Sequence, residues 1–61
     1  MDSVDLAVLA AIADGRSASE VAEMFEVSEH VVNRRLIRIR RELDAPTTIA
    51  AVVTAIRRGL M

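Results

Sequence analysis

The stretch Ser28–Arg41, SEHVVNRRLIRIRR, decides how this chain folds. Val32, Leu36, Ile39 and, just beyond it, Leu43 recur at i, i+4, i+7 and i+11. That is an apolar stripe at helical period. At about 100° per residue, the opposite side of the same helix carries His30, Asn33, Arg34, Ile37, Arg38 and Arg41. One face is suited to sealing a core. The other holds long cationic and amide side chains.

Working outward, Ser28 caps this helix, which is predicted over 28–43. Asp44 follows it, a residue type that tolerates left-handed backbone, and Pro46 cannot continue the helix. Upstream, Ser17-Ala18-Ser19-Glu20 reads as a capping box opening a helix over 18–25. Val21, Ala22 and Phe25 face inward, with Met24 at the edge. Glu26-Val27 is the short connection, so the spacing from Ala22 to Val32 is that of a helix-turn-helix.

The first helix is predicted over 4–13, with Asp2 as N-cap and Asp5 in the place of a capping-box acid. Its inward face is Val8, Leu9, Ile12 and Ala13, and Asp14-Gly15 ends it. A fourth helix over 48–58 is capped by Thr47 and stopped by Gly59. Arg57 and Arg58 suit the negative end of its dipole. No segment alternates as a strand does, and nothing resembles a linker or a repeat. The expectation is a single all-α domain over residues 1–61. Its expected core is Val8, Leu9, Ile12, Val21, Ala22, Val32, Leu36, Ile39 and Val52.

A domain of 61 residues buries only about 60% of its unfolded surface. Small domains are commonly assisted by disulfides, metals or oligomerisation. There is no cysteine, and His30 is the only histidine, so the first two are excluded. Hydrophobic residues make up 52% of the chain, at a mean hydropathy of +0.32, with Phe25 the sole aromatic. That leaves apolar surface for a second chain. No apolar run approaches the ~20 residues of a membrane span, and MDSVD lacks a basic signal-peptide region. A soluble, cytoplasmic protein is expected.

The net charge of −1 hides a dipole. Residues 1–29 hold seven acids against Arg16, a net of −6, whereas residues 30–61 hold seven arginines against Glu42 and Asp44, a net of +5. Field at a surface follows local charge within about 10 Å, so the second half favours an anionic partner. Arginine and asparagine are the types that read base edges and phosphates in a DNA major groove.

End to end, the chain resembles the LuxR/GerE-type four-helix DNA-binding domain of bacterial regulators. Val8-Leu9 and Ile12-Ala13-Asp14-Gly15 match the family's first helix. Ser17, Glu20-Val21-Ala22 and Val27-Ser28-Glu29 match its second helix and turn. Val32, Leu36, Ile39 and Leu43 match the recognition-helix core, and Ala51-Val52, Ala55 and Ile56-Arg57-Arg58-Gly59-Leu60 match the last helix. The departures fall on the outer face. Val31 stands where the family usually has Thr, Asn33 where it has Lys, and Arg35 where it often has His. Position 5 keeps an acid, with Asp for the usual Glu. The family's usual contact pattern is therefore not carried over.

The resemblance and the outer face together lead to the expectation of a regulator that binds double-stranded DNA as a homodimer. Asn33 and Arg34 are the expected base readers, with Ile37 positioned for a thymine methyl. Arg35, Arg38 and Arg41 are expected to hold phosphates, and His30 is a further contact candidate. Ile49, Val53 and Ile56 form a surplus apolar stripe on the last helix, the expected dimer interface. No acid–base pair or nucleophile constellation suggests an enzyme, and neither a cofactor nor a metal is expected. The rival reading is a helix-turn-helix that has traded DNA for a protein partner, a sensor or regulator. The departures at Val31 and Asn33 are what keep that rival, an anti-regulator or regulator subunit, open.

Overall fold

The computed structural model describes residues 1–61. It contains four helices and no strand: α1 (Ser3–Ala13), α2 (Ala18–Phe25), α3 (Glu29–Glu42) and α4 (Thr48–Arg57). The boundaries fall within a residue of those expected from the caps. None of the four is long and apolar enough to cross a membrane.

Each helix begins on a side-chain cap that satisfies an otherwise orphan N–H. Asp2 accepts from the Asp5 N–H at 2.7 Å, Ser28 from Val31 at 3.2 Å, and Thr47 from Ala50 at 3.0 Å. Ser17 and Glu20 make the full reciprocal box, at 3.1 and 3.0 Å. Asp5 makes no such box; its side chain turns inward to other partners.

All four helices also end the same way. A residue with positive φ follows the last turn: Gly15 at 94°, Glu26 at 56°, Asp44 at 52° and Gly59 at 71°. The next N–H then bonds back five residues, Arg16 to Ala11, Val27 to Ala22, Ala45 to Arg40 and Leu60 to Ala55. This is the Schellman arrangement, which satisfies the last carbonyls and turns the chain sharply. Glu26 and Asp44 do so without glycine's freedom.

α1 and α3 each pack against all three other helices, while α2 and α4 do not touch. The core therefore lies along the α1–α3 seam, with α2 on one flank and α4 on the other. Val32 and Leu36 are 1% and 8% exposed, and Ile39 and Leu43 are buried with them, so the rotation of α3 is as its stripe requires. Val8, Leu9, Val21 and Ala22 are buried as expected, but two members of the expected core are not.

Ile12 and Val52 are only half-buried at the margin, and Ala13 is exposed. Ala11, Ala51 and Ala55 are buried instead. α4 meets the bundle through two of its smallest side chains, Ala51 and Ala55, and the larger Val52 lies at the edge.

Glu26 is the one strained joint next to the α2–α3 turn. Glu26→Gly should raise stability by about 0.5–1 kcal/mol, because left-handed backbone costs an L-residue roughly 1–2 kcal/mol and glycine's greater unfolded entropy offsets part of the gain. Urea denaturation measures it; an unchanged or lower midpoint would contradict the assignment of strain there.

Candidate functional site

The outward side of α3 is exposed because its inward stripe is fixed. His30, Asn33, Arg34, Ile37, Arg38 and Arg41 all reach the surface, while Arg35 is half-buried. A shallow concavity runs along this side, lined by Val31, Arg34, Arg35, Ile37, Arg38 and Arg41. His30 and Asn33 lie outside it. Ile37 is 47% exposed, an apolar side chain among guanidinium groups.

Two of the four arginines are already engaged. Asp5, on the first turn of α1, is the only buried charged residue, at 1% exposure. Arg35 Nη1 donates to its Oδ1 at 2.8 Å, and Arg38 Nη2 donates to Oδ1 and Oδ2, each at 3.0 Å. Asp2 adds a looser layer, 3.7 Å from each arginine. The cluster stays hydrated on its outer side, since the Arg35 and Arg38 side chains are 32% and 51% exposed. The Arg38 pKa is raised above its ordinary value, first by the hydrogen bond and then by the charge of Asp5, with desolvation opposing. Asp2 is held below the ordinary 3.8, chiefly because its carboxylate accepts from the Asp5 N–H; desolvation opposes this, and the two arginines add to it.

Arg34 and Arg41 have no ion-pair partner. Arg40, on the other side of α3, donates through Nη2 to the Pro46 carbonyl, and its Nε is buried without a partner. It serves the α3–α4 connection. The field on the outer side therefore comes mainly from Arg34 and Arg41, which is weaker than a count of arginines suggests.

Two apolar surfaces accompany this face. On α4, Ile49, Val53 and Ile56 are 78%, 40% and 58% exposed, so the bundle leaves the predicted stripe uncovered. Where α1, α2 and α3 meet, Val4, Phe25, Val27 and Val31 line a second shallow groove beside the Arg35 stem. That groove was not anticipated. Nowhere do three or more His, Cys, Asp or Glu side chains gather as a metal would need. Comparison with known proteins returns no matching family model and no matching curated protein.

The ion cluster and the α2 capping box together predict an acid limb. Asp2 and Glu20 both have depressed folded-state pKa values, Glu20 through the Ser17 N–H and hydroxyl. Their contribution is present above the unfolded values of 3.8 and 4.5 and is lost as pH falls through the folded ones. The thermal midpoint should be level above about pH 5 and fall below it, with a shallower fall in Asp2→Asn. Asp5→Ala should cost about 1–3 kcal/mol at neutral pH. That is less than breaking a fully buried pair, because both arginines can turn to water. Thermal and urea unfolding read both effects.

Proposed function

We propose that this chain is a LuxR/GerE-type helix-turn-helix domain that binds double-stranded DNA as a homodimer and acts in transcription control. The observation that carries the reading is the outward row of Asn33, Arg34, Ile37, Arg38 and Arg41 on a helix whose other face is locked into the core. A three-residue turn joins α2 to this helix, as in domains whose second helix enters the major groove. Asn33 and Arg34 are the base readers, Ile37 an apolar contact, and Arg41 a phosphate contact. Arg35 and Arg38 are oriented by Asp5 and act from fixed positions. Residue resemblance to the family along the whole chain supports the same reading.

A protein-interaction module is the second reading. It draws support from the neutralisation of Arg35 and Arg38 and from the groove at Val4, Phe25, Val27 and Val31. Titration against mixed-sequence duplex at two salt concentrations separates the two. The DNA reading expects binding at ~50 mM salt that weakens steeply toward ~200 mM. Arg34→Ala should lose about 1–3 kcal/mol at a selected site and relax discrimination at one base position. No binding at ~50 mM by the folded protein would transfer the assignment to the protein-module reading.

The dimer reading rests on the uncovered Ile49, Val53 and Ile56 stripe, which on a two-fold axis would meet its own copy. Two half-sites about one helical turn apart would then be preferred. Val53→Glu places a charge at that contact and should cost several kcal/mol of association. Sedimentation at ~100 μM, well above micromolar dissociation constants, decides it: the wild type should run as a dimer and the variant as a monomer. A monomeric wild type would exclude the interface.

A further inference from the structure

We propose that Asp5, with Asp2 beside it, is a specificity-determining residue: an internal anion that competes with DNA phosphate for Arg35 and Arg38 and so holds down binding to unmatched sequence. The inference rests on the DNA-binding reading above and goes beyond it, because it assigns a DNA-binding role to a buried acid that does not itself line the outer face.

The argument begins with where the acid sits. Asp5 is 1% exposed and carried on the first turn of α1, so the carboxylate itself stays in place when a partner approaches from outside. Both of its oxygens are used, one shared between the two guanidinium groups. Affinity for DNA irrespective of sequence comes from arginines that displace condensed counterions at phosphates. An arginine whose charge is already balanced by a built-in carboxylate adds little to that exchange. Arg34 and Arg41 are unpaired and supply most of it; Arg35 and Arg38 are largely withdrawn from it.

Withdrawal of charge is not withdrawal of contact. A guanidinium has five N–H donors, and the bonds to Asp5 use Nη1 of Arg35 and Nη2 of Arg38. Arg38 is half exposed while Asp5 holds its Nη2, so its remaining donors are available in an orientation that the carboxylate restricts. Such a group favours a partner with matching geometry over any nearby negative charge. The pairing suppresses the indiscriminate part of binding and keeps the directional part.

The test is anisotropy titration of a labelled mixed-sequence duplex across ~50–200 mM salt, with wild type, Asp5→Asn, Asp2→Asn and Asp5→Glu. Asp5→Asn restores one net positive charge to the face. The log–log salt dependence should steepen by about one unit, so that about three- to fourfold more affinity is lost across that range. Its binding at the low-salt end should be tighter than wild type. Asp2→Asn retains a competent N-cap and should shift the same way by less. Asp5→Glu should restore the wild-type slope.

A purely structural role for Asp5 predicts the opposite sign, weaker binding with a flat or unchanged slope. If Asp5→Asn loses its helical circular dichroism, Asp2→Asn decides the matter. Unchanged or flatter slopes in the folded variants overturn the proposal while the DNA reading stands. No binding by wild type or any variant at ~50 mM overturns both.

Discussion

Burial of Val32, Leu36, Ile39 and Leu43 against three other helices removes any rotational freedom from α3. Everything on its outer side inherits that constraint. Turning the helix by one residue would swing it by about 100°, bringing arginines into the seam and exposing leucine and isoleucine. The positions of Asn33, Arg34, Ile37 and Arg41 are thus a consequence of core packing. A domain with only a dozen buried residues maintains a defined surface because those residues are concentrated on its central pair of helices.

The single buried charge modifies this picture. Asp5 bridges α1 to α3 through two arginines and ties the edge of the outer face to the seam. A bridge of this kind contributes less to stability than its short distances suggest, since desolvating a carboxylate offsets much of the attraction. Its larger effect is on geometry. Two long, flexible side chains are held to a restricted set of orientations before any partner arrives.

Helix positions and ends were legible in the sequence because their signals are local. Asp2, Ser17, Ser28 and Thr47 cap helices within three residues of themselves, and Gly15, Asp44 and Gly59 end them just as locally. Glu26 was not recognised as left-handed, although a turn that short after Phe25 leaves few alternatives. The Asp5 pairing escaped because it spans 30 and 33 residues. A clue was present: Asp5 lies on the stripe of Val8, Leu9 and Ile12, and an acid on a core face must find cations. The candidates were the arginines flanking Leu36 and Ile39. The exchange of Val52 for Ala51 and Ala55 was hidden for a different reason. Hydrophobicity ranks valine above alanine, whereas close helix approach ranks them the other way.

No contact joins α2 to α4, so the two helices present their outer sides independently. The uncovered Ile49–Val53–Ile56 stripe lies on α4, whereas the Val4–Phe25–Val27 groove lies where α1, α2 and α3 meet. Within extents of only 29 × 19 × 18 Å, the fold thus leaves apolar side chains uncovered at two places that share no residue.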